Sequence, residues 1–343
     1  MRKLLNVLYV TDPEAYLAIE GQAVQIRKEE KIVLKLPLLN LENIVCFNYP
    51  GVSTALMRAC CENNVGLCFL SPGGRFLGRV SGKVQGNVLL RKKQYQLSEN
   101  TAESVKYGSS FLAGKFYNCR KVLTRAIRDH ALVVDCNKLT KASETIKTYY
   151  SKIESCETIH DLMGLEGFVG KTYYSVFDEL ILQQREHFYF INRSRRPPRD
   201  NMNSLLSFYY VLLANEVTSA LETVGLDPYV GFLHQDRPGR PSLALDVMEE
   251  LRPVLADRIA LSLINRRQVN GKGFIKKESG GVLMDEDTRK IVLTAWQERK
   301  QQKITHPFLK EKFPLGLVPY VQALLLARAI RGDLDTYPPF FWG

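Results

Sequence analysis

The sequence predicts an α+β protein: a small N-terminal β-rich domain over residues 1–90, then a larger all-helical domain over residues 91–343. Three observations carry this. Before residue 90, apolar residues come in short runs separated by turn-forming residues. After residue 91 they recur every three or four positions over long stretches. Prolines 197, 198, 228, 238, 241 and 253 then divide the second part into separate helices.

In chain order, "LLNVLYV", "YLAIEG", "AVQIRK", "KIVLKLPL" and "NIVCF" read as strands, with "RKEEK" as a hairpin tip. "STALMRACCENN" (53–64) reads as the one helix of this domain. Val65–Leu70 and Arg75–Val80 read as further strands, joined by the turn "SPGG". "LLRKKQYQL" leads into the helical part. "SSFLAGKFYNCRKVLTRAIRDH", "ASETIKTYYSKIESC", "IHDLMGLEGFVGKTYYSVFDELI", "MNSLLSFYYVLLANEVTSALETVG" and "PSLALDVMEELRPVLADRIALSLI" each show helical spacing. "NRRQVNGKGFIKKESGGVLMDED" (265–287) reads as a loop or hairpin, and the aromatic tail "DTYPPFFWG" as a segment docked on its own fold. No internal repeat or low-complexity tract interrupts this order.

At 343 residues and 45% apolar content, the chain can bury a sizeable core. No apolar run approaches the roughly 20 residues that span a bilayer. The basic-then-apolar start gives way to "TDPE" with no small-residue cleavage site. It reads as a first strand rather than an export signal, so the expected location is cytoplasmic. Seven cysteines, an odd number without a CxxC pair, read as reduced, mostly buried thiols and speak against a structural zinc site.

The formal net charge of +11 favours polyanionic partners such as nucleic acid. "REHFYFINRSRRPPRD" (185–200) concentrates Arg185, Arg193, Arg195, Arg196 and Arg199. A solvated basic loop would look the same. The functional reading is contact with a phosphate backbone, whose oxygens suit the guanidinium fork.

The chemistry centres on "GFLHQDRPGRPSLALDVMEELRP" (231–253). A helix from about Ser242 puts Ala244, Val247, Met248 and Leu251 on one face, with Ser242, Asp246 and Glu249 opposite. A plain surface helix would also show this. His234 lies just upstream, in a loop with Asp236, Arg237, Gly239 and Arg240 that can fold back toward the carboxylates. Glu166 sits in the apolar stretch "DLMGLEGFVGKTYY", where a partly buried carboxylate needs an arginine partner or a metal. Two carboxylates and an imidazole from separate elements suit a hard divalent ion. Mg²⁺ or Mn²⁺ is favoured, Mn²⁺ better suited by the imidazole, with Zn²⁺ still open. Of the other histidines, His160 reads as a cap of the Glu166 helix and His187 as structural. His130 and His306 have no acidic constellation around them.

Three blocks, "GLEG..G..YY", "RRPPRDNMNSLLSFYYVLLANE" and "GLDPYVGFLHQDRPGRPSLALDVMEELRP", resemble the CRISPR-associated integrase family, the metal-dependent DNA endonucleases of spacer acquisition. The resemblance covers nearly the whole chain, and "PPRD" with "YPPFFW" looks most like members of the type I-C branch. It implies Glu166, His234 and Glu249 as catalytic metal ligands, Glu249 falling three residues after the Asp of "DVME". Asp246 then becomes either a group that supports a ligand or an alternate ligand, and Glu250 has no assigned role. The implied reaction is attack of a 3′-hydroxyl of a short DNA duplex on a phosphodiester at a repeat edge, with Mg²⁺ or Mn²⁺ bound. Arg193, Arg195, Arg196, Arg199, Arg237 and Arg240 are expected on the DNA backbone. The implied assembly is a homodimer paired through its β-domains, two such dimers flanking a dimer of a small ferredoxin-like partner in a heterohexamer. The competing readings are a general nuclease for branched DNA in repair and a non-catalytic DNA-binding scaffold.

Overall fold

The inner strands of the N-terminal part bury central residues. In β2 (Tyr16–Glu20), Leu17 and Ala18 are both buried, while Tyr16 and Glu20 at its ends are exposed. The computed structural model describes residues 6–29, 31–83 and 88–343. β1 (Val7–Val10), β2, β3 (Ala23–Lys28), β4 (Lys31–Pro37), β5 (Asn43–Phe47) and β6 (Gly51–Val52) precede helix α1 (Thr54–Glu62). β7 (Gly66–Leu70) and β8 (Phe76–Val80) follow it. They form two four-stranded sheets, ordered β1-β5-β7-β8 and β4-β3-β2-β6. In the first, β1, β5 and β7 run parallel and β8 antiparallel. The expected tip "RKEEK" joins the antiparallel pair β3 and β4, but its Glu30 lies outside the described residues. Ser53 caps α1 by accepting from the Leu56 amide at 3.2 Å. Leu17, Val24, Ile44, Leu56 and Leu67 share one buried apolar core.

Ten helices are described in all. α2 (Val88–Glu99), α3 (Thr101–His130), α4 (Cys136–Tyr150), α5 (Ile159–Ser175) and α6 (Asn201–Val224) come next, then α7 (Ser242–Arg252) and α8 (Arg258–Asn265). A single π-helical turn, Pro253–Asp257, joins α7 to α8; Pro253 has no amide hydrogen to give the regular ladder. α9 (Glu286–Gln301) and α10 (Val318–Arg331) complete the helices. Two short antiparallel ribbons interrupt the helical part, so it is not purely helical. They are β9 (Phe274–Lys276) with β10 (Val282–Met284), and β11 (Lys303–Thr305) with β12 (Lys312–Pro314). The first ribbon lies in the stretch read as a loop or hairpin. Thr158, rather than His160, caps α5, in a reciprocal capping box with Asp161.

The chain divides into two compact units. One comprises Met1–Gln85, Leu293–Gln302 and Leu315–Leu317; the other comprises Gly86–Val292, Lys303–Pro314 and Val318–Gly343. Residues 293–302 and 315–317, read from sequence as part of the helical domain, therefore pack with the strand-rich unit. In the larger unit, α3 packs against α4, α5 and α7, and α6 against α7 and α10. Among the described residues, no helix is long and apolar enough to cross a membrane.

The tail docks at home: Tyr337, Phe340 and Trp342 are buried. His306 is also fully buried there. Its Nδ1 accepts from the Leu309 amide at 3.2 Å, and its Nε2 lies 3.0 Å from Gln322 Oε1. That network assigns the proton to Nε2. Burial, only partly offset by Gln322 and Glu311, lowers the His306 pKa. On acidification the unfolded chain therefore takes up this proton first, and stability is lost as pH falls below about 6.5. The melting-temperature gap between wild type and His306→Asn should be full above neutrality and shrink on acidification. A gap that stays constant across that range refutes neutral burial of the ring.

Candidate metal centre

The acidic helix is not a solvated face. Asp246, Glu249 and Glu250 on α7 are each at most 3% exposed. α7 is held between α3 and α6, so every side of it meets protein. Each carboxylate must then find partners, and the three find different ones.

Asp246 organises the histidine loop. Its carboxylate accepts from the amides of Phe232 (2.7 Å), Leu233 (3.0 Å) and His234 (2.9 Å). It also meets His234 Nδ1 at 2.6 Å. Gly231 permits this close approach, because a Cβ there would lie 2.8 Å from His234 O and 2.9 Å from Asp246 Oδ2. Burial would lower the His234 pKa, but the hydrogen bond and charge of Asp246, with Glu249, raise it overall. With Nδ1 committed to Asp246, Nε2 is the nitrogen left to ligate or exchange protons. A carboxylate holding the far nitrogen is the arrangement that orients metal-ligating histidines.

Glu249 faces cations. Its Oε1 accepts from Arg252 at 2.6 Å, and its Oε2 lies 2.7 Å from Lys115 Nζ. Lys115 Nζ, on α3, also makes a short ion pair with Glu166 Oε1 on α5. The Lys115 side chain is 7% exposed, against 23% for Glu166. Burial pushes the Glu249 carboxyl up, but Arg252, Lys115 and His234 together outweigh it and hold it well below the usual range. Burial likewise opposes the charged Lys115, and Glu249 and Glu166 outweigh it, so the ammonium is firmly protonated.

Arg252 is fixed in turn. Its guanidinium lies 4.5 Å from the centre of the Tyr210 ring and donates to Tyr174 Oη at 3.4 Å. The Tyr174 and Tyr210 hydroxyls are 2.7 Å apart, and Tyr210 donates to buried Asp257 at 2.6 Å. Tyr173 donates to the same carboxylate at 3.2 Å.

Glu250 points away from these cations. It accepts from Gln322 Nε2 (2.9 Å), the Phe340 amide (2.7 Å) and, in a short contact, Tyr337 Oη. Burial pushes its carboxyl up to about 7 despite the three donors.

The structure thus brings Glu166 and Glu249 together on one ammonium, with His234 near enough to act on the Glu249 charge. Among the described residues, no three His, Cys, Asp or Glu side chains are placed to hold a metal ion as they stand. The donor chemistry nevertheless fits one. Glu249 Oε2 is buried and meets the Lys115 ammonium at 2.7 Å. Two carboxylate oxygens already converge on one cation, and hard oxygen donors with one imidazole suit Mg²⁺ or Mn²⁺.

The arginines divide. Arg193 is half-buried and its guanidinium is engaged within the protein. It donates to Asn203 Oδ1 (2.7 Å), Ser207 Oγ (3.0 Å) and Ser194 O, and stacks over Tyr210. Burial lowers its pKa. Arg240 closes the histidine loop by donating to Gln235 O and, at 3.3 Å, to Ser242 Oγ. Arg195, Arg196, Arg199 and Arg237 are exposed. His187 is packed closely on Gly271, where a Cβ would lie 2.3 Å from the ring.

Sequence reasoning missed Lys115, Arg252 and the tyrosine–Asp257 chain. Lys115 left a signal: it falls between Phe111, Leu112 and Cys119 at helical spacing, on an apolar face where a lysine requires an anion.

Comparison with known proteins gives three kinds of match. The family model described as CRISPR associated protein Cas1 matches residues 8–298. A "CRISPR-associated endonuclease Cas1 1" of Chlorobaculum tepidum is 46% identical over 342 residues, covering 100% of both chains. Among solved structures, a Cas1 protein from Thermotoga maritima superposes with a TM-score of 0.83 at 22% identity, over 98% of this chain and 100% of that one. A casposase bound to integration product also gives a TM-score of 0.83, at 21% identity, over 99% of this chain and 93% of that one. These structural likenesses show the fold.

Proposed function

The chain belongs to the CRISPR-associated Cas1 family, and from that membership we propose that it is a divalent-metal-dependent DNA endonuclease and integrase. In this reading it inserts short duplexes into a repeat array. The observation that carries the chemistry is the convergence of Glu166 and Glu249 on one buried cation beside a histidine oriented by Asp246. Glu166, Glu249 and His234 Nε2 would hold Mg²⁺ or Mn²⁺. Such an ion supplies Lewis acidity to a phosphoryl oxygen and favours the deprotonated nucleophile. Arg252 fixes Glu249 from behind, leaving Oε2 for the cation. Asp246 keeps the imidazole from turning.

The test is strand joining with a labelled short duplex and a supercoiled plasmid carrying the repeat, in Mn²⁺, Mg²⁺ or chelator. Joining should require metal and be lost in His234→Ala. Cleavage without joining would point to a branched-DNA nuclease instead. Undiminished joining by the variant would leave the metal centre without a role.

We assign Arg195, Arg196, Arg199 and Arg237 to the DNA backbone because they are the exposed members of the arginine set. Replacing any one by alanine should weaken binding uniformly across sequences and flatten the salt dependence by about one unit. Arg193→Ala should instead lower the melting temperature. An unchanged salt slope in all four would remove the assignment.

A homodimer through the strand-rich unit is also part of the proposal. Its support is β4, an edge strand that exposes Ile32, Val33 and Leu34. An exposed apolar edge calls for a pairing partner. Two such dimers would flank a dimer of a small ferredoxin-like partner protein, as the family resemblance implies.

A further inference from the structure

The least expected group in the larger unit is the Lys115 ammonium. It stands on the middle of α3, a 30-residue helix, and is almost completely buried. It reaches two carboxylates from two other helices, Glu166 of α5 and Glu249 of α7. Lysine is seldom buried, and only paired charge makes it tolerable. Here Lys115 bridges two anions, and Arg252 takes the other oxygen of Glu249.

We propose that Lys115 is a built-in occupant of this carboxylate pair, and that a divalent ion enters by displacing its ammonium. The inference rests on the metal-centre reading above. Its physical basis is competition for the same oxygens. Glu166 Oε1 and Glu249 Oε2, the atoms aimed at a common point, are the atoms Lys115 holds. An ammonium and a divalent ion in mutual contact repel each other, while both attract the same carboxylates. Lys115 therefore holds the two carboxylates close together in the metal-free protein. It also makes metal binding weaker than the carboxylates alone would give. Three helices are held in register by a cation that the chain itself supplies, so the site is preformed without being fully open to any passing metal.

The experiment is a Mn²⁺ titration of the full-length metal-free protein, followed by calorimetry and by melting temperature. Lys115→Met, close to lysine in length and without charge, should bind Mn²⁺ at least about tenfold more tightly than wild type. Without metal it should melt lower, and Mn²⁺ should raise its melting temperature more than that of wild type. Lys115→Arg, which keeps a cation, should bind no more tightly than wild type. Equal Mn²⁺ affinity in wild type and Lys115→Met overturns the inference while leaving the metal centre standing. No Mn²⁺ binding by either overturns the metal centre and the inference together. If Lys115→Met fails to fold, the wild-type protein decides. In a crystal structure with Mn²⁺ bound to Glu166 and Glu249, Lys115 Nζ should have left both carboxylates. An ammonium still paired to both beside the bound ion overturns the proposal.

Discussion

Asp246→Ala is expected to destabilise the protein by about 3–5 kcal/mol and to abolish DNA joining. The carboxylate is fully buried and accepts three consecutive backbone amides, from Phe232 to His234, as well as facing the His234 ring. Alanine leaves those amides without an acceptor, each at a cost of about 1–3 kcal/mol, reduced where water can enter. The same change frees the imidazole to rotate, so the activity loss does not depend on unfolding. Asp246→Asn separates the two effects. It keeps one acceptor oxygen but turns an amide NH2 donor toward groups that are themselves donors. Its stability loss should be smaller, while metal affinity falls about 10–100-fold, as for other groups that orient a metal-binding histidine. Denaturant unfolding and Mn²⁺ titration of both variants measure the two consequences. An Asp246→Ala protein within 1 kcal/mol of wild type would refute the organising role, since a loss that small falls short of even one orphaned buried amide.

Glu250→Ala should have the second largest effect, about 2–4 kcal/mol, and should release the C-terminal tail. Glu250 is adjacent to Glu249 on α7 but has the opposite environment. Glu249 meets Arg252 and Lys115 and is held ionised, whereas Glu250 meets only neutral donors and is pushed up to about 7 by burial. Those donors include Tyr337 and the Phe340 amide, which belong to the tail. Asn118 adds two more ties, donating to Phe340 O at 2.7 Å and accepting from the Trp342 amide at 2.9 Å. Gly114 lets the tail and α7 approach α3, since a Cβ there would lie 2.7 Å from Glu250 Cβ and 3.2 Å from Pro339. The variant should become sensitive to proteolysis at residues 333–340, with early loss of the aromatic end. A tail as resistant as in wild type would show that Asn118 and apolar packing hold it without Glu250.

The two glutamates show what can and cannot be read along a chain. Periodicity located α7 and the other long helices, because burial on one face leaves a repeating pattern in the residues themselves, and short apolar runs between turn-forming residues located the strands. The residues also offered candidates for chemistry, namely Glu166 in an apolar stretch, His234 in the loop before an acidic helix, and the carboxylates on that helix, while the choice of Glu166, His234 and Glu249 as ligands came from the family resemblance. It could not say which carboxylate does what. "DVMEE" by itself fits a solvated face better than a site. That reading failed because α3 and α6 enclose α7, and packing between helices distant in sequence leaves no local mark.

Partner identity was decided the same way. Lys115 lies 51 residues from Glu166 and farther still from Glu249, yet one ammonium joins them. Arg193 sat in a run of arginines that looked uniform, and only the fold turned it inward onto Tyr210. The chain by itself determined the fold class, the positions of its main elements and a set of candidate groups for chemistry that lacked Lys115, Arg252 and the tyrosine–Asp257 chain. Tertiary structure decided which of those groups are buried, which cation each anion meets, and hence which are charged. The physical reason is that charge inside a protein is set by desolvation and by the nearest opposite charge, and both depend on distances in space rather than along the sequence.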